Sequence, residues 1–301
     1  MNSARRALLA TILALLGFGA CAIPARAATA TAQCLAAPSR ILHRQVGYCA
    51  ILPPGYGADK TRRYPVLYLL HGLGENRTML IRSGLLNLVE DLWDKNEIGK
   101  FLIVTPDADS SFYINSLNGH EHYEDFFIRE FLPFIARHYR TLSGRTHRGI
   151  AGLSMGGYGA LHLAFRYPQL FGSVAAESAA LIEHLPSVTV VGPESHAIHR
   201  MLGGAFGSPP DPAFWAKNSP LTLARTARLA GMKIYFDCGR QDGYGFYRGA
   251  EALNRILTAR RIPHEFHLYP GRHDWIYFAA HLPALLRFES NAFGLAPASH
   301  R

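Results

Sequence analysis

The sequence predicts an α/β fold, a doubly wound and mostly parallel sheet with helices on both faces, and three observations predict it. Short continuous apolar runs, such as residues 66–70, alternate with longer stretches of helical apolar spacing. Runs of that kind are what strands buried on both faces of a parallel sheet show. A third signal is Gly152-Leu153-Ser154-Met155-Gly156, where a buried strand turns abruptly into a helix on a serine.

Arg5 and Arg6 open the chain before an apolar run over 7–23, then Pro24-Ala25-Arg26-Ala27, a small-residue pattern before Ala28. This reads as a secretory signal peptide over residues 1–27, implying an exported, periplasmic or secreted protein without stable membrane insertion after processing. An uncleaved anchor is the alternative, the run being short of a full span; the arginine pair also leaves twin-arginine export open. Cys21 follows Phe18-Gly19-Ala20, a poor lipoprotein signal. Removing residues 1–27 takes away three arginines and no acid, lowering the formal charge from +9 to +6. With 18% charged residues and no Lys/Arg block, nothing resembles a nucleic-acid stripe. The 49% hydrophobic composition suits one large core.

Residues 28–39 read as a flexible mature N-terminus, 40–289 as a single α/β domain and 290–301 as a tail. Two short strands, 41–46 and 47–52, are expected as a hairpin that brings Cys34 and Cys49 together as a disulfide, an exported chain meeting an oxidising compartment. Cys238 ends an apolar strand and reads as a buried free thiol. Strand 66–70 is followed by a helix over 76–95, strand 101–105 by an amphipathic helix over 123–139, and then the serine strand and its helix. Further strands fall at 172–176, 233–238 and 264–269, with helices over 246–261 and 275–287. Between 181 and 230 the alternation fails. This stretch, rich in Pro, Gly and aromatics including Trp215, reads as an insertion after the sixth strand, a candidate substrate wall because an open α/β sheet binds ligands at the C-terminal ends of its strands.

Gly-x-Ser-x-Gly has a mechanical reason. The tight turn strains the serine, and a side chain at Gly152 or Gly156 would collide with neighbouring backbone, so Ser154 reads as a nucleophile and Met155 N–H as an oxyanion donor. A serine nucleophile needs a base and an acid that orients the base, in the chain order Ser, Asp/Glu, His. Asp242 follows strand 233–238 and His273 follows strand 264–269, so all three loops should share one sheet edge. Glu177, at the end of the preceding strand, is the alternative acid. Asp274 reads as the cap of the last helix, and His162, His267 and His281 as ordinary surface or core histidines. The second oxyanion donor is expected in Leu70-His71-Gly72-Leu73-Gly74, with Leu73 N–H as partner of Met155 N–H.

Leu70-His71-Gly72, the loop Pro106-Asp107-Ala108-Asp109-Ser110-Ser111-Phe112-Tyr113, Gly152-Leu153-Ser154-Met155-Gly156-Gly157, Asp237-Cys238-Gly239-Arg240-Gln241-Asp242 and Gly271-Arg272-His273-Asp274-Trp275 together resemble the esterase D family of α/β-hydrolases. That family includes feruloyl and other carbohydrate-ester esterases, S-formylglutathione hydrolases, siderophore esterases and mycolyltransferases. The resemblance implies an α/β-hydrolase fold, catalytic roles for Ser154, Asp242 and His273, and oxyanion roles for Leu73 and Met155. It also implies a site-bordering loop in which Asp109 and Tyr113 are either substrate contacts or turn and cap residues. Export argues against the S-formylglutathione hydrolase role. The expected function is a secreted serine esterase forming an acyl-enzyme on esters of carbohydrate or feruloyl-like type, with no metal or organic cofactor, no Cys/His cluster having metal spacing. Acyl transfer to a sugar or lipid acceptor, or glycan binding without turnover, are the alternatives.

Overall fold

The computed structural model describes residues 30–185 and 193–295. The expected leader, part of the insertion and the last residues of the tail lie outside the described residues. Eight strands form one sheet in the order β1-β2-β4-β3-β5-β6-β7-β8. They are β1 (Thr31–Ser39), β2 (Arg44–Leu52), β3 (Val66–Leu70), β4 (Leu102–Pro106), β5 (Arg148–Leu153), β6 (Ser173–Glu177), β7 (Lys233–Gly239) and β8 (Glu265–Tyr269). β2 pairs antiparallel with β1 and β4, and the other pairings are parallel. Every residue of β3, β4 and β6 is buried, as in strands covered on both faces, and β3 accordingly reads as an unbroken apolar run.

Alternate residues of these strands feed two core layers. One packs Val66, Tyr68, Ile150 and Val174 under the helical segment 123–138, α5 (Met155–Arg166) and α9 (Phe246–Ala259). The other packs Leu67, Leu69, Ala151 and Tyr235 under α2 (Leu85–Asp94) and α10 (Trp275–Ala292). The expected helix over 76–95 is divided into α1 (Met79–Arg82) and α2 by Gly84, whose φ of 76° no helix accommodates. The expected helix over 123–139 comprises α3 (Tyr123–Phe126), a π-helical turn (Phe127–Phe131) and α4 (Leu132–His138).

Two expectations are corrected. Residues 31–39, expected as a flexible N-terminus, form the edge strand β1, and the hairpin pairs β1 with β2 rather than 41–46 with 47–52. Cys34 faces Cys49 in that register and the two are disulfide-bonded. The small residues of β1 hid a strand whose partner, not its propensity, supplies its order. The insertion expected over 181–230 contains α6 (Pro193–Phe206), α7 (Pro212–Asn218) and α8 (Pro220–Thr226). Its aromatic side chains Phe206 and Trp215 are buried, with ring centroids 6.0 and 5.6 Å from Tyr158 of α5.

Candidate active site

β5 delivers Ser154 at the sheet's C-terminal edge and α5 departs from it at once. Ser154 sits at φ 55°, ψ −115°, a strained backbone for a residue with a side chain. Three hydrogen bonds enforce it: its N–H donates to Glu177 O (3.0 Å), and its carbonyl accepts from Tyr158 and Ala180 N–H (3.0 Å each). A Cβ at Gly152 would run into the backbone of Gly156, and one at Gly156 into Leu70 O. The two glycines let β3, β5 and α5 close around the serine.

The loops after β7 and β8 are bonded to each other: Gln241 N–H donates to Gly271 O at 3.0 Å, and Gly271 N–H to Gln241 Oε1 at 2.6 Å. This brings His273 between Ser154 and Asp242. His273 Nε2 lies 2.8 Å from Ser154 Oγ, and Nδ1 lies 2.8 Å from Asp242 Oδ2. A carboxylate only accepts, so Nδ1 carries the proton and Nε2 is left to accept from the serine hydroxyl. Asp242 is buried, and its Oδ1 takes the Tyr244 N–H at 2.8 Å. Asp274 caps α10 by accepting from Tyr277 N–H at 3.0 Å.

Glu177 lies elsewhere. It is fully buried beside Asp237 in the β6–β7 register, and neither carboxyl oxygen has a hydrogen-bond partner among the described residues. Burial, and the neighbouring Asp237, push it well above the usual carboxylate range, and His273 Nδ1 is already engaged by Asp242.

The loop after β3 lies against the serine, a Cβ built on Gly72 coming 3.5 Å from Ser154 Cβ. His71 is buried and holds this loop: Nε2 accepts from Ala108 N–H at 3.0 Å, which leaves Nδ1 to donate to Gly72 O at 2.8 Å. Burial keeps the ring's pKa low and the imidazole neutral. Gly72 C=O and Leu73 N–H belong to one trans peptide and point in opposite directions, so tying back the carbonyl turns the Leu73 N–H the other way.

Of the three candidate substrate contacts, two are core residues and one lies at the surface. Tyr113 is buried, with its hydroxyl donating to His71 O at 3.1 Å; it braces the loop from beneath. Asp109 is exposed and paired with Arg44 at 3.2 Å. Trp215 lies in the core under α5. His162, buried, bonds Asn218 O and Glu124 at 2.7 Å each.

Sequence reasoning missed the aromatic frame of His273. The rings of Tyr244, Phe246 and Phe278 approach it edge-on at 5.1, 5.3 and 5.3 Å. Each follows Asp242 or His273 by a few positions, a proximity that was the available signal. Tyr244 and Leu73, 47% and 40% exposed, put apolar surface at the rim beside the histidine and the serine. Among the described residues no cluster of His, Cys, Asp and Glu could hold a metal ion, and no helix is long and apolar enough to cross a membrane.

A strand-to-helix serine, a histidine and an acid on three loops of one sheet edge define an α/β-hydrolase. The Esterase family model matches residues 39–288, and the chain belongs to that family. It is similar to "Esterase Rv1288" of Mycobacterium tuberculosis (strain ATCC 25618 / H37Rv), 29% identical over 245 residues, covering 75% of this chain and 52% of that one. The chain thus spans about half the length of that relative. It is also similar to "Acetyl esterase" of Caldicellulosiruptor saccharolyticus, 27% identical over 254 residues and covering 80% of this chain and 91% of that one. Among solved structures, a ferulic acid esterase superposes with a TM-score of 0.76 at 28% identity, covering 88% of this chain and 99% of that one.

Proposed function

We propose that the chain hydrolyses carboxylic esters through a covalent acyl-enzyme. The observation that carries this reading is the unbroken Ser154 Oγ, His273, Asp242 contact, 2.8 Å on each side of the imidazole. Ser154 Oγ attacks the ester carbonyl as Nε2 takes its proton, and Asp242 stabilises the imidazolium. The oxyanion receives Leu73 and Met155 N–H, a preorganised pair of donors in which each contributes about 3–4 kcal/mol to the transition state. The imidazolium then protonates the departing alkoxide. Water, deprotonated by the same Nε2, attacks the acyl-enzyme and frees the acid.

An acyl ester of carbohydrate or aromatic, feruloyl-like type is the substrate class this reading favours. Support comes from the exposed Leu73 and Tyr244 beside the reacting groups, a surface suited to a flat ring, and from the similarity to a ferulic acid esterase. Export by the leader over 1–27 belongs to the same reading, and the Cys34–Cys49 disulfide is in keeping with an oxidising compartment.

The test is hydrolysis of p-nitrophenyl acetate through octanoate and of a ferulate ester, by the wild-type protein and Ser154→Ala in parallel. Turnover in the wild type and none in Ser154→Ala is the expected result. Equal rates in both would overturn the assignment of the nucleophile, and ester turnover only with an added sugar or lipid acceptor would make the chain a transferase.

A further inference from the structure

Besides His273, a sequence of donors leads to the Asp242 carboxylate. Gly239 N–H donates to Ser178 Oγ at 3.4 Å, Ser178 Oγ lies 3.6 Å from Cys238 Sγ, and Cys238 Sγ lies 3.7 Å from Asp242 Oδ2. The far end of this chain is the same Oδ2 that accepts from His273 Nδ1 at 2.8 Å. Its direction is set from the carboxylate end. A carboxylate can only accept, so the thiol hydrogen goes to Asp242, and the sulfur, its one hydrogen spent there, accepts the hydroxyl hydrogen of Ser178, whose oxygen takes the Gly239 N–H.

We propose that Cys238 and Ser178 are positioning residues for the triad, a one-way hydrogen-bond chain that holds the Asp242 carboxylate and sets how strongly it grips His273. This rests on the esterase reading for its role in turnover.

All the members are buried. Ser178 stands just past β6 at a φ of 40°, with its N–H tied to Asp237 O at 2.9 Å. A non-glycine residue held at positive φ is costly, and here that backbone puts the hydroxyl against the sulfur. Burial, and then the Asp242 charge, push the thiol upward, so it stays protonated and keeps the hydrogen it donates. With Tyr244 N–H on Oδ1, the carboxylate has a donor on each oxygen besides His273. That matters because each donor withdraws charge from Oδ2. An orienting carboxylate with too few donors would stabilise the imidazolium as a resting ion pair and leave less neutral His273 to act as base. A thiol, a weak donor on a long bond, trims that grip while filling the buried space.

The test compares Cys238→Ala, Cys238→Ser, Ser178→Ala and the Ser178→Ala/Cys238→Ala double variant of the full chain. It reads kcat and KM on p-nitrophenyl acetate from pH 5 to 9, thermal stability, and the downfield proton resonance of His273 Nδ1–H. Cys238→Ala should lower kcat at neutral pH about three- to tenfold, with KM within about twofold, as expected for one weak hydrogen bond to a charged group. The acidic limb of kcat/KM should move to higher pH, because a carboxylate with one donor fewer holds the imidazolium more strongly. Cys238→Ser should restore most of the rate and the limb. Ser178→Ala should act in the same direction on kcat and the pH limb but add nothing to either in the Cys238→Ala background, since it reaches Asp242 only through the sulfur; its lost bond to Gly239 N–H should show in thermal stability alone. The His273 resonance should shift in Cys238→Ala and return in Cys238→Ser.

A pH profile and a resonance unmoved by Cys238→Ala, with the substitutions changing thermal stability alone, would overturn the proposal and leave ordinary core packing. An absent His273 resonance in the wild type would overturn it as well. Lack of ester turnover in the wild type would count against the esterase reading alone; the resonance needs no turnover and still decides whether the chain controls the Asp242–His273 contact.

Discussion

The imidazole of His71 determines which way the Gly72–Leu73 peptide faces: its Nδ1 donates to Gly72 O at 2.8 Å, while its Nε2 is held by Ala108 N–H at 3.0 Å. The proposed oxyanion donor, Leu73 N–H, is therefore aimed by a buried side chain that does not itself take part in the proposed chemistry. Replacing His71 by Leu keeps the apolar volume and frees the peptide to rotate. Steady-state kinetics should show kcat reduced about tenfold to a hundredfold with little change in KM, less than deleting an oxyanion donor outright. Burial lowers the His71 pKa, so its contribution to stability is present above the unfolded value and is lost as pH falls through the folded one.

The acid assignment separates cleanly. Asp242→Asn should cost about 10⁴-fold in kcat, because a neutral amide can donate to Nδ1 and so favours the wrong tautomer. Glu177→Gln should leave kcat near wild type, the Glu177 carboxyl being buried beside Asp237 with His273 Nδ1 already taken. The reverse ranking in a side-by-side rate measurement would move the acid to β6.

Stability should fall with rising pH. Burial raises Asp237, and raises Glu289 to about 8, above what either shows unfolded. Each folded carboxyl therefore retains a proton that the unfolded chain has lost, and stability is fully present below about pH 4 and lost as pH rises through the folded value, for Glu289 through about 8, at about 1.4 kcal/mol per pH unit per group. Thermal melts from pH 5 to 9 should show this decline. Glu289→Gln, which mimics the protonated acid bonded to Ser173, should flatten its upper part; a parallel decline in the variant would refute the assignment.

The Cys34–Cys49 bond spans a sequence separation of 15, for which loop closure gives about 3 kcal/mol. A Cys34→Ser/Cys49→Ser variant should melt lower by that order in denaturant titrations. Its kcat at 25 °C should match wild type, since β1 and β2 lie at the sheet edge opposite β8, away from the proposed triad.

Trp215 fills space between Phe206 and Tyr158. Trp215→Ala should destabilise the fold by about 3–5 kcal/mol, as large core truncations do, with KM on small esters unchanged. A selective rise in KM without loss of stability would return Trp215 to the substrate wall.

Local chemistry accounts for the elements legible in the residues alone. The apolar runs in β3 and β4 declare strands buried on both faces, Gly152 and Gly156 declare a turn no side chain could enter, and the order Ser154, Asp242, His273 puts the reacting groups at the ends of three strands of one sheet. Cys34 and Cys49 could be paired on compartment and proximity, though through the wrong hairpin. Which side chains those elements bring together depends on packing. β1 is a strand because β2 lies beside it, Trp215 is core because α5 passes over it, and Tyr113 braces His71 because its loop folds underneath. The contacts from Ser178 through Cys238 to Asp242 join the ends of two neighbouring strands 60 residues apart at their first link. No local pattern marks such a pair: sequence periodicity reports which face a residue turns, whereas its partner on that face depends on register and on packing across the whole sheet.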